Sequence, residues 1–165
     1  KKPTFKDRII KNEVWYIFHF IRHLRFVEFY QNKGAFYRPL FYYHFLKYKR
    51  LSFLLHFNIA PGSVGPGFRI YHIGGFTHVG KNVRIGKHCT MQPGVVFGNK
   101  TEENDNRPVF VGDNCYLGLN VKILGPVSIG NNVTIGANAV VTKDIPDNAI
   151  VGGVTPRIIK ILKNE

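Results

Sequence analysis

Val79-Gly-Lys-Asn-Val-Arg-Ile85-Gly-Lys-His-Cys-Thr-Met91-Gln-Pro-Gly-Val-Val-Phe97 repeats itself every six residues, and the same beat resumes at Val111-Gly-Asp-Asn-Cys-Tyr-Leu117. Large apolar residues stand at 79, 85, 91 and 97, then at 111, 117, 123, 129, 135 and 141. Glycine follows at 80, 86, 98, 112, 118, 130 and 136. A second apolar or small residue comes four positions after most of them: Val83, Cys89, Val95, Cys115, Val121, Val127, Val133, Ala139 and Ile145. Between the two stand Asn82, His88, Gly94, Asn114, Asn120, Pro126, Asn132, Asn138 and Asp144, mostly types that tolerate the left-handed backbone of a tight corner. This pattern predicts a parallel β-helix in which each unit is a short strand plus a corner. Three units make a coil of about 18 residues, and coils stack at the strand spacing of about 4.8 Å.

The phase breaks once. Phe97 and Val111 are two residues further apart than two units require. Residues 99–108, Asn99-Lys-Thr-Glu-Glu-Asn-Asp-Asn-Arg107-Pro108, are polar and offer no inward side chain, so they are predicted to be extruded. Such a loop is either a tolerated insertion or the border of a site; a regular solenoid gains nothing from it, which favours the second. Cys89 and Cys115 fall on the inward ladder and read as inert packing. Two cysteines cannot form a disulfide framework or a four-thiolate zinc site, and no His/Cys spacing suggests a metal.

Upstream the composition changes near residue 57. The first 57 residues hold 17 of the 23 aromatics, 12 Lys or Arg, 3 acids and one glycine, Gly34. They carry +9 of a net charge of +13. Ile10, Val14, Ile17, Ile21, Leu24 and Val27 predict a helix over 7–30, and a second is expected from about Pro39 to Leu55. Charged residues interrupt both before they reach the roughly 20 apolar residues of a membrane span. Cationic aromatic surface suits an anionic membrane, and equally suits a cap that packs its aromatic face inward and solvates its charges. No helix-turn-helix, zinc-finger or RNA-binding signature points to nucleic acid. The chain therefore divides into a basic aromatic helical cap (1–57), a β-helix (58–157) with loop 99–108, and a tail or short helix (158–165).

The stretch Ile59-Ala-Pro-Gly-Ser-Val-Gly-Pro-Gly-Phe-Arg-Ile70-Tyr71-His72-Ile-Gly-Gly75, the hexapeptide coils, the loop and the ending Gly153-Val-Thr-Pro-Arg157 together resemble bacterial serine acetyltransferases. They look closer still to the short relatives of these enzymes that serve capsule and other surface polysaccharides, and Arg22-His-Leu-Arg-Phe-Val-Glu-Phe-Tyr30 resembles their cap. The resemblance implies an all-β domain, a left-handed parallel β-helix with an N-terminal α-helical cap, assembled as a homotrimer with acetyl-CoA between neighbouring prisms. It implies His72 as the general base, because an alcohol attacks a thioester only as its proton is taken.

Two departures bear on the acceptor. The serine-specific members carry an Asp just before that His, where this chain has Tyr71. They carry a second His in the loop, where this chain has Arg107, a side chain suited to a negatively charged or sugar acceptor. Glu102, Glu103 or Asp105 could supply the missing carboxylate, and the sequence does not choose among them. His78 and His88 rank below His72, and the cap histidines read as structural or interfacial. On the cofactor side, Ala137-Asn-Ala-Val-Val-Thr142-Lys143-Asp144-Ile-Pro146 matches the final-coil segment of related acetyltransferases. Gly118 would admit the pantetheine arm, and Arg157 and Lys160 match positions that meet the CoA phosphates.

The leading expectation is an acetyl-CoA-dependent O-acetyltransferase acting on a sugar hydroxyl of a surface glycan or its precursor. It would be cytoplasmic, with a peripheral contact on the inner face of an anionic membrane, and need no metal. The alternatives are a serine O-acetyltransferase of cysteine biosynthesis and a non-catalytic trimeric scaffold.

Overall fold

The computed structural model describes residues 2–99, 108–154 and 157–162. Five coils stack into a prism with three ladders of strands, parallel but for one terminal strand. One face is β1 (Phe57–Ile59), β3 (Thr77–Val79), β6 (Val96–Asn99), β9 (Lys122–Gly125) and β12 (Val140–Val141). The second is β4 (Val83–Ile85), β7 (Val109–Val111) and β10 (Ser128–Ile129), extended at its two ends by single bridges, Val64 to Ile85 and Ile129 to Ile145. The third is β2 (Arg69–Ile70), β5 (Thr90–Met91), β8 (Tyr116–Leu117), β11 (Thr134–Ile135), β13 (Ala149–Gly152) and β14 (Arg157–Ile161).

All ten first positions of the repeat are buried, and so are all nine of the second. The corners divide into two kinds. His88, Gly94, Asn114, Asn120, Asn132 and Asn138 adopt positive φ as expected, at the turns leading into the third and first faces. Asn82, Pro126 and Asp144, at the turns leading into the second face, do not. Asn114 donates to Asn132 at 3.3 Å and Asn132 to Asn148 at 2.9 Å, so one corner is an amide ladder. The repeat glycines have a separate cause. A Cβ at Gly86 would lie 2.7 Å from the Gly112 backbone, one at Gly112 2.6 Å from Gly130, and one at Gly118 2.7 Å from the amide of Ala137. Coil stacking itself excludes a side chain there. Cys89 and Cys115 are free, buried and stacked on adjacent coils, the Cys115 amide donating to the Cys89 sulfur at 3.4 Å. The Cys89 hydrogen bond and burial push the Cys115 thiol up.

The cap differs from the expected helix over 7–30. It begins with α1 (Phe5–Ile10), breaks at Lys11, whose φ is 48°, and restarts as α2 (Glu13–Tyr30). The break comes from Asn12, which caps the amide of Trp15 at 3.3 Å and donates to Asp7 at 2.5 Å. A 3-10 turn at Ala35–Tyr37 leads into α3 (Arg38–Leu55). Phe20, Leu24 and Val27 of α2 and Tyr48 and Leu55 of α3 join Phe57 and Ile59 in one core with the coils. Polar ties fix the joint. Arg25 donates to the carbonyls of Val64 and Gly65, Glu28 accepts from the amide of Gly62 at 2.7 Å, and the two side chains pair at 2.8 Å.

At the other end, residues 157–161 form β14, antiparallel to β13, where a tail or short helix was expected from 158. The strand covers the open edge of β13, which would otherwise present unpaired backbone groups. The loop at 100–107, with Arg107 and the carboxylates of Glu102, Glu103 and Asp105, lies outside the described residues.

Inside the cap, His23 and His44 face each other Nδ1 to Nδ1 at 2.8 Å. Burial first, then the charge of His44, holds the His23 imidazole down at about 4 against an ordinary 6.5. Burial and Arg22 lower His44 as well. A histidine kept neutral by the fold takes its proton more readily once unfolded, so this contribution to stability is lost as pH falls from 6.5 towards 4. The thermal unfolding midpoint should fall across that window, and His23→Gln should flatten the fall; identical slopes for the two proteins would show that the pair does not titrate on unfolding.

Candidate functional site

The third face sets the site by register. Ile70, Met91, Leu117 and Ile135 are direct partners on successive coils. Two residues beyond each, at the corner that leads into the first face, stand His72, Pro93, Leu119 and Ala137. They line an open cleft of about 480 Å³ together with Gln92, Tyr116 and Gly118. One coil higher the same corner holds Gly152 and Gly153, and Arg157 pairs with Gly152. From His72 to Gly153 the corner climbs four coil steps, about 19 Å at the strand spacing, and Arg157 on β14 lies one strand further.

The His72 side chain is 63% exposed. Its Nδ1 lies 2.9 Å from Oε1 of Glu13, the first residue of α2. The other oxygen of Glu13 accepts from the amide of Ile73 at 3.4 Å. His72 Nε2 makes no hydrogen bond among the described residues. The loop carboxylates named for the role lie outside the described residues; this carboxylate comes from the cap, 59 positions upstream of His72. No sequence signal marked it, because the contact depends on how α2 is laid over the first coil. Gln92, Pro93 and Leu119 were within reach of the sequence, because they stand one or two positions after Met91 and Leu117, inward positions of the repeat that share a face.

The expected residues fall into two groups. His72, Gly118, Ala137 and Arg157 share one corner. Lys160 lies on the same face, paired with Ile150 on an exposed strand. Thr142 and Lys143 follow β12 and so sit at a different corner, between the first and second faces, the corner at which β6 also ends, at Asn99. That corner has its own cleft, lined by His78, Lys81, Asn82, Val83, Phe97, Gly98, Asn99 and Val109. Within one copy of the chain the two groups do not meet. No His/Cys/Asp/Glu cluster able to hold a metal is present among the described residues.

Beside His72 an apolar cleft of about 480 Å³ runs between α2 and the first coil, lined by Val14, Ile17, Phe18, Ile21, Phe68 and Tyr71 among others. The cap also presents Tyr42, Tyr43, Leu46, Phe53 and Leu54 to solvent, on the helix that carries Lys47, Lys49 and Arg50. Among the described residues no helix is long and apolar enough to cross a membrane.

Comparison with known proteins agrees with this fold. Residues 108–143 match the bacterial transferase hexapeptide (six repeats) family. A serine acetyltransferase of Mycobacterium tuberculosis is 38% identical over 103 residues, which is 62% of this chain and 44% of that protein. The structure of Neisseria gonorrhoeae serine acetyltransferase in complex with serine superposes with a TM-score of 0.70 at 29% identity, over 88% of this chain and 57% of that one. A serine acetyltransferase in complex with CoA gives a TM-score of 0.69 at 26% identity, over 86% and 56%. The chain thus spans about half the length of the relatives it matches. It is a hexapeptide-repeat β-helix protein with a helical cap, similar in sequence and fold to the serine acetyltransferases.

Proposed function

We propose that this chain, wound as a left-handed β-helix, is an acetyl-CoA-dependent O-acetyltransferase with His72 as its general base. The observation that supports it most is the corner that stacks His72, Pro93, Leu119 and Ala137 on one cleft and ends at Arg157. A cation at the top and a histidine at the bottom suit an extended thioester: Arg157 and Lys160 meet the phosphates, and the acetyl group reaches His72. His72 Nε2 then takes the proton of the acceptor hydroxyl as its oxygen bonds to the thioester carbonyl carbon. As the tetrahedral adduct collapses, the C–S bond breaks and the imidazolium returns the proton to the departing thiolate. Thr142 and Lys143, at the other corner, complete the site from a neighbouring copy in a homotrimer, and Arg107 is the residue proposed to position the acceptor.

The matched relatives are named for serine, so the comparisons favour serine as acceptor over the glycan expected from the sequence. A second acceptor class is kept for a specific reason. The apolar cleft beside His72 and the cationic aromatic face of α3 suit a sugar carried on a lipid at the inner face of an anionic membrane. Product analysis after incubation with acetyl-CoA separates the two. O-acetylserine supports the first; acetylated sugar from a panel of glycans and lipid-linked sugars, with binding to anionic rather than neutral vesicles, supports the second. Acetyl-CoA left intact with every acceptor removes the proposal.

A further inference from the structure

We propose that Glu13, supplied by the cap rather than by the β-helix, is the positioning residue of His72. The inference rests on the role proposed for His72 and adds where its orientation comes from.

An ionised carboxylate only accepts hydrogen bonds. At 2.9 Å from Oε1, the Nδ1 of a neutral His72 must therefore carry the ring proton, which leaves the lone pair on Nε2. That is the form a general base needs. The second oxygen of Glu13 holds the amide of Ile73, so one side chain grips both the ring and the backbone beside it. Glu13 in turn is well held. It is the first residue of α2, next to the capping Asn12, where the positive end of the helix favours a charged carboxylate. Phe20, Arg25 and Glu28 lock α2 to the first coil further along. The cap thus sets the tautomer of a histidine in another part of the fold.

The pair is open to solvent, with side chains 63% and 40% exposed, so it adds little to stability and its removal leaves the fold intact. Glu13→Gln keeps the size and an acceptor oxygen but loses the charge. It should lower kcat by about 10- to 100-fold with the KM for acceptor and for acetyl-CoA unchanged. Glu13→Asp should recover part of the loss. Thermal unfolding midpoints should match the wild type throughout.

A second readout needs no turnover. Nitrogen-15 NMR of labelled histidine should show His72 protonated on Nδ1 in the wild type, and Glu13→Ala should shift the proton towards Nε2. Full kcat in Glu13→Gln, or a tautomer that does not respond to Glu13→Ala, overturns the proposal. A tautomer shift in a protein that transfers no acetyl group would support the positioning role and remove the reaction instead.

Discussion

His72→Ala is expected to lower kcat for acetyl transfer by about 10²–10⁴-fold, the usual worth of a positioned general base. Affinity for acetyl-CoA should stay near the wild-type value. The cleft floor of Gln92, Pro93, Gly118, Leu119 and Ala137 is untouched by the change, and the cations proposed for the phosphates stand on β14, five strand steps along the face from His72. The fold should survive as well, since the His72 side chain is largely exposed. Arg157→Ala is expected to do the reverse, weakening acetyl-CoA binding with a smaller effect on kcat. Equilibrium binding and initial rates on the same preparations check both halves. The loss in His72→Ala should exceed that in Glu13→Gln, because one removes the base and the other only its orientation.

Phe20→Ala is expected to be among the most damaging core changes, costing about 3–5 kcal/mol. Phe20 is fully buried, meets Phe57 edge-on at 5.4 Å between centroids and lies 5.7 Å from Tyr48. Its two ring partners are held in place and do not refill the space, because Phe57 is fixed in β1 and Tyr48 donates to the carbonyl of Ile59 at 2.6 Å. A urea titration should show a lowered midpoint at an unchanged slope. The same change loosens the element that carries Glu13, so the protein that remains folded should also lose kcat. An undamaged midpoint would mean that the cap is not joined to the coils through this contact.

Much of the prism was legible because a β-helix writes its geometry into a short period. Inward positions could be counted from Val79 to Val141, and the buried ladders follow them residue for residue. What the period could not carry is what lies between elements. Gly118 read as room for the pantetheine arm, yet Gly86, Gly112 and Gly118 alike are needed where the next coil's backbone comes too close for a Cβ. Asn12 did not announce a helix break, because its neighbours keep the apolar spacing on both sides; only its two side-chain bonds end α1 and start α2. The strand at Arg157–Ile161 was hidden because the repeat ends before it, and its pairing with β13 is antiparallel where every other ladder is parallel. His72 stood out through its Gly-Gly neighbours, whereas Glu13 sits among cap residues whose composition speaks only of charge and aromatic surface.

His72 lines the cleft at one corner of the coils and His78 the cleft at another, where it stacks on Phe76 at 6.0 Å. Acetyl transfer measured side by side for the wild type, His72→Ala and His78→Ala is the most direct test of which corner does the chemistry. The account predicts acceptor-dependent thiol release from acetyl-CoA that collapses in His72→Ala and persists in His78→Ala. Near-full activity in His72→Ala, with the loss falling on His78→Ala, would contradict it.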